Sequence, residues 1–269
     1  MKSRISYYAA VWWRLAQMAF LMQLANFWSS LGWLGGKLIR LIFFVCFIVA
    51  IFKHVRSVAG YSFEEIALFF LTFNLIDVAA QLFLRGIYMV GRDIREGDMD
   101  FYLIHPLHPL FRLASNMVDF LDFLTLVPIL VLLAFTLTHI LAPFSPPQIA
   151  LKVSLYFVLC WNGMLIAFSI HVFIAALTLR TQQMENTIWM YRDISSLGRF
   201  PCDVYARPLR DFLTYILPIG VMVTFPAQAL LGILSVGKMI SAFLICGIFL
   251  TLSIRFWNNS VRHYCSTSS

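Results

Sequence analysis

Residues 38–52 read LIRLIFFVCFIVAIF, a run in which Arg40 is the one charged residue and every other side chain is apolar. Extended back through LGWLGG at 31–36, it reaches the roughly 20 residues that a helix needs to cross a bilayer. Similar runs occupy residues 63–84, 113–137, 149–179 and 239–257. The whole chain is 61% hydrophobic and 12% charged, against roughly 45–50% and about 25% in soluble domains. The expected fold is all-α: a polytopic membrane protein with six transmembrane helices in one domain over residues 1–269, the sixth span falling between Arg180 and Lys238.

The net charge of +7 comes from Lys and Arg scattered singly along the chain. It speaks for orientation and lipid headgroups as partners, not for nucleic acid. Cys46, Cys160 and Cys246 lie in apolar runs, Cys202 and Cys265 outside them, and no spacing of metal-ligand type appears, so no metal site is expected. The N-terminal MKSR precedes an aromatic stretch with Arg14 and no small-residue cleavage site, which reads as a retained segment. Within residues 5–27, Tyr8, Val11, Trp12, Leu15, Ala19 and Met22 recur at helical spacing, as in a helix lying in the headgroup plane; the alternative is a seventh span, in which Arg14, Gln17, Gln23 and Asn26 would all need protein partners in the bilayer.

Lys2, Arg4, Arg14, Lys37 and Arg40 crowd the start of the chain, which puts the N-terminus in the cytoplasm. The loop THILAPFSPPQ at 138–148 has no Lys, Arg, Asp or Glu and suits an external turn. Two topologies fit the region between Arg180 and Lys238. In the first, residues 181–210 are a cytoplasmic loop and 211–234 the fifth span. In the second, residues 181–200 form a polar fifth span, and 201–234 an external re-entrant segment broken at Pro208, Pro218 and Pro226. Hydropathy and the positive-inside rule favour the first, since Arg192, Arg199, Arg207 and Arg210 would otherwise lie in or beyond the membrane, the prolines favour the second, and the C-terminus is cytoplasmic in both.

Against this apolar background, residues 91–110, GRDIREGDMDFYLIHPLHPL, form a charged island with Arg92, Asp93, Arg95, Glu96, Asp98 and Asp100 close together. A helix there would hold polar groups that set register on a soluble partner, with Met99, Phe101, Tyr102 and Leu103 as buried anchors. Asn74, Asp77 and Gln81 share one face of the second span and make a candidate substrate path, against the simpler reading of interhelical hydrogen bonds. Asp119 and Asp122 are expected to pair with Arg85, Arg112 or the island. His105 and His108 each precede a proline, which favours extended backbone and no zinc site. The chain contains no G-x-x-x-x-G-K-[ST], so any ATP must be held by a partner. An ion-coupled carrier using Asp77 and a non-transporting scaffold stay open as alternatives.

The island resembles the permease subunits of ATP-binding-cassette exporters of the ABC-2 type, in the six-span branch that carries I-x-x-G-x-x-D-x-x-L-x-x-P after the second span. Here the pattern falls on Ile94, Gly97, Asp100, Leu103 and Pro106. The stretch SSLGRFPCDVYARPLRDFLTYILPIGVMVTFPAQALLG is similar to that branch's tail. The resemblance implies a coupling segment at 85–112 whose Ile94, Arg95, Glu96, Gly97, Asp98, Asp100, Phe101, Leu103 and Pro106 dock on a separate nucleotide-binding ATPase subunit. It also implies an elbow helix at 1–30 and the second topology, with the re-entrant segment at 201–234. A second permease chain, identical or homologous, would complete the exporter in the plasma membrane, as in a bacterial inner membrane. ATP and Mg would sit on the partner, and this chain, with no catalytic residues, would bind no cofactor.

Overall fold

A computed structural model describes residues 4–181 and 187–264. Five of its helices are long and apolar enough to cross a membrane, and a bent helix pair makes a sixth if counted as one span. Apart from an isolated bridge between Val58 and Tyr61, the described residues pair no strands.

Helix α1 (Arg4–Ala25) ends at Asn26, and α2 (Phe27–Phe52) follows at once. The apolar helix therefore begins four residues before the sequence boundary at 31, because FWSS contains nothing that stops a helix. Helix α3 (Phe63–Leu84) starts on a capping box: the Glu65 amide donates to Ser62 Oγ, and the Ser62 amide donates to Glu65 Oε2 at 2.8 Å. A 3₁₀ turn (Arg85–Met89) and α4 (Val90–Arg95) prolong this path. Gly86 permits the close approach of the Leu113 and Ala114 carbonyls, which a Cβ would strike. Then come α5 (Asp98–Ile104), α6 (Pro109–Ser115), α7 (Leu121–Leu141) and the 36-residue α8 (Pro146–Thr181).

The apolar windows of α3 and α8 are 67% and 61% buried, those of α2 and the last helix α12 (Val236–Arg262) 11% and 17%. So α3 and α8 form the core, with α7 against α3 and α12 against α8. The outer helices turn most of their side chains outward.

Beyond α8 the chain departs from a simple span. The polar fifth span expected at 181–200 includes residues 182–186, which lie outside the described residues. The rest is α9 (Thr187–Ser195), a 3₁₀ turn (Ser196–Arg199), extended backbone at Phe200 and a short turn at Cys202–Val204. Its neighbours change steadily: Trp189 meets Tyr88, Arg199 lies over Phe73, and Asp203 accepts from the Tyr61 hydroxyl at 3.0 Å. This segment thus runs antiparallel along α3, in pieces rather than as one helix, because Pro201 lacks an amide for the ladder.

The bent pair consists of Arg207–Ile216 and Gly220–Leu231, at 82°. Its first arm holds α10 (Arg207–Asp211) and a π turn, its second a π turn and α11 (Phe225–Leu231). The outer end of the second arm is held by Gln228 donating to Asp203 at 2.7 Å and Lys152 donating to the Leu230 carbonyl at 3.1 Å. Nearer the bend, the Met222 backbone packs on Gly163 in the middle of α8, where a Cβ would come within 2.7 Å of the Met222 oxygen.

Candidate functional site

Two places collect the polar residues of this membrane domain. The first is the end of the molecule formed by α4, α5 and α6. Gly97 takes φ 79°, left-handed backbone that glycine adopts freely, and turns the chain from α4 into α5. Asp93 is fully buried there, accepting from Arg92 at 3.2 Å and from the Tyr102 hydroxyl at 3.3 Å. That hydroxyl accepts from Asn116 at 2.8 Å, and Arg112 bonds Asn116 while stacking over the Tyr102 ring. Burial, and then the Asp93 carboxylate, push the Tyr102 phenol above its ordinary range, so it keeps its proton to donate. Sequence reasoning missed Asp93 and Asn116 as the pins of this segment.

This inward pinning corrects three expected contacts. Ile94, Met99 and Tyr102 are buried within the chain's own core and have no surface to offer a partner. Helical geometry explains it: Met99 and Tyr102 are three apart and share the face of α5 turned inward. The other face carries Phe101, 59% exposed, and Ile104, 78% exposed. Arg95, Glu96 and Pro106 are also exposed, while Gly97, Asp98, Asp100 and Leu103 are half-buried. Arg92 lies 3.6 Å from Glu96. His105 and His108 have extended backbone before their prolines, and the His108 amide donates to the Tyr8 hydroxyl of α1 at 3.3 Å.

The second place is a cavity of about 740 Å³ between α2, α3 and α9. Three stripes at helical spacing line it: Ser29, Gly32, Gly36 and Arg40 with Trp33 and Lys37 from α2; Phe73, Asp77, Gln81 and Arg85 from α3 and its extension; Trp189, Arg192, Asp193, Ser196 and Arg199 from α9 and its 3₁₀ turn. Asp77 and Gln81 line this cavity, joined at 2.8 Å, with Arg85 donating onward to Gln81. Asn74 does not line the cavity; its amide turns back to the Phe70 carbonyl at 2.8 Å.

Five cations and two carboxylates thus line a cavity at the level of the spans. Lys37 is compensated behind the wall by Asp122 at 2.6 Å and Asp119 at 3.1 Å. Of the expected partners Arg85 does pair with Asp119, at 4.0 Å, while Arg112 bonds Asn116 instead, and Lys37 is the nearer cation that sequence reading did not name. Arg192 lies over the Tyr88 and Trp189 rings, and Arg199 over Phe44 and Phe73. Among the described residues, no carboxylate lies within 4 Å of Arg40, Arg192 or Arg199. Sequence reading used Lys37 and Arg40 for orientation alone and counted Arg192 and Arg199 only against a topology. The signal that would have found the site was the helical spacing of the three stripes.

The family model for ABC-2 family transporter proteins matches residues 38–268, from α2 to the C-terminal tail. The chain belongs to the ABC-2 transporter family. No curated protein matches it. The ABC-2 match covers both places: the cavity but for Ser29 to Lys37, and all of the segment at 94–106. An ABC-2 chain of this kind is the membrane component of a transporter rather than its ATPase, and the family works in general with an ATP-binding subunit.

Proposed function

We propose that this chain is the permease subunit of an ABC exporter, moving a substrate out of the cytoplasm while a separate nucleotide-binding subunit hydrolyses ATP with its Mg ion. The observation that carries the reading is the two-faced α4–α5 unit. Its inner face is locked by Asp93, Ile94, Met99 and Tyr102, and its outer face presents Phe101 and Ile104 beside Arg95 and Glu96. Large apolar side chains ringed by charge are what a docking surface on a soluble motor requires. In this reading 85–112 is the coupling segment. Asp98, Asp100, Leu103 and Pro106 shape its edge, and Gly97 sets the angle between its helices.

The same reading places the other parts. Helix α1 touches the coupling end through Tyr8 and leaves Ile5, Trp13, Met18, Leu21 and Met22 exposed, which suits an elbow at 1–30 in the interface. The bent pair and its approach, 201–234, form an external re-entrant segment, supported by the tie of Asp203 to Tyr61 at the far end from Tyr102. Both termini are then cytoplasmic, in the plasma membrane, with a second permease chain beside the first.

The test is reconstitution with the partner ATPase. Native chain is expected to co-purify with it and alter its turnover, and Phe101→Asp or Glu96→Lys to abolish both while still inserting. Unchanged complex formation would reject the docking assignment. Proton- or sodium-dependent flux without any ATPase would favour the carrier built on Asp77, and the absence of any flux a scaffold.

A further inference from the structure

Resting on the permease reading, we infer that the cavity between α2, α3 and α9 binds the anionic headgroup of an amphiphile, a phosphate or carboxylate, through Arg40, Arg192 and Arg199. Charged groups at membrane depth are costly and need partners. Lys37 has its partners in Asp119 and Asp122. No described carboxylate comes within 4 Å of the three arginines; the opposite charge nearby is Asp77, against the two like charges, Arg40 and Arg192, that act on Arg199. Arg192 lies over the Tyr88 and Trp189 rings and Arg199 over Phe44 and Phe73, and a ring contact engages the face of a guanidinium rather than the N–H edge that phosphate and carboxylate take in bidentate hydrogen bonds.

Two carboxylates also face this space, and they bear on the sign of the ligand. Asp77 accepts from Gln81, and the cations outnumber the pair formed by Asp77 and Asp193. The surplus favours an anion over a cation. Trp33 and Trp189 line the same wall, and α2 beside it faces outward through Ile39 and Phe43. A headgroup held by arginine with an apolar chain lying against aromatic and aliphatic surface fits both parts of the lining.

The experiment uses purified full-length chain in a neutral detergent, without the ATPase, so that loss of headgroup binding and loss of complex formation are separate results. Native mass spectrometry follows titration with phosphatidic acid and with phosphatidylcholine of the same acyl chains, and calorimetry follows inorganic phosphate. Phosphatidic acid is expected to bind at least about tenfold more tightly than phosphatidylcholine, and Arg192→Gln with Arg199→Gln to weaken it by about ten- to a hundredfold, the worth of a charge-assisted hydrogen bond. The single variant Arg40→Gln, at an exposed position with no pairing to lose, provides the same test without risk to folding. Preference for phosphatidic acid without saturable binding of phosphate would identify a lipid as the source, and saturable binding of phosphate beside that preference a headgroup site that free anions also enter; both support the site. Equal affinity for the two lipids, unchanged binding in the cavity variants, or an equal loss on Arg207→Gln outside the cavity would overturn it.

Discussion

Gly97 sits at φ 79° between two short helices whose buried faces are pinned to the same core. Any side chain there meets left-handed backbone strain of about 1–2 kcal/mol, and relief of that strain would swing Phe101 and Ile104 off their present bearing. Gly97→Val is expected to insert normally but to lose co-elution with the ATPase; retained co-elution would show that the angle between α4 and α5 is not read by the partner. Lys37 makes a different residue-level case. It is the cation for Asp122, whose side chain is wholly buried, and for Asp119. Lys37→Met should cost about 3–5 kcal/mol by leaving buried charge uncompensated, and Asp122→Asn added to it should restore part of the loss in detergent melting temperature. A double variant no more stable than the single would mean that the triad does not hold α2 to α7. Gly97 was legible in the sequence as part of a spaced pattern. Lys37 was not, because the pairing joins residues 82 and 85 positions apart, and hydropathy carries no information about such pairs.

At the scale of elements, the spans were legible where one helix carries one long apolar run. Residues 63–84 coincide with α3, and the runs at 38–52, 149–179 and 239–257 differ from their helices only at the ends; the run at 113–137 does not, since its first residues belong to α6 and the turn after it and the long helix starts at Leu121. The broken segment formed by α9 and residues 196–204 was not, because its polar residues are accommodated by the cavity and by Tyr61 and Gln228 rather than by an apolar surface of its own. Nor could sequence show that Cys202, a natural choice for accessibility labelling, is 3% exposed, with its amide held by Thr224. Ala206 is exposed at the start of the bent pair. Ala206→Cys in a cysteine-free background is therefore expected to react with a membrane-impermeant maleimide in intact cells. Reaction only after permeabilisation would return residues 201–206 to the cytoplasmic side and reject the re-entrant segment.

For the molecule as a whole, the proposed pairing of two permease chains raises the question of which outer helix would form the contact. Both α2 and α12 are largely unburied, but their outward chemistry differs. Helix α12 has open glycines too, Gly237 and Gly247, but they are far apart and set among Phe243, Leu244, Ile248 and Leu252, a bulky surface that lipid chains cover. Helix α2 carries Ser29, Ser30, Gly32, Gly35 and Gly36, and a Cβ at any of the three glycines would meet no atom within 4 Å. Small residues let membrane helices approach closely, and a protein partner gains packing there that lipid cannot give. The second permease is thus expected to pack on α2, next to the arginine-lined cavity, so that two cavities would share one interface. Single cysteines at Trp28, Ile39 and Phe43 should include positions that cross-link between chains, while those at Leu244, Ile248 and Leu252 should give none. Cross-links confined to α12, or a complex with one permease chain by light scattering, would place the substrate path elsewhere.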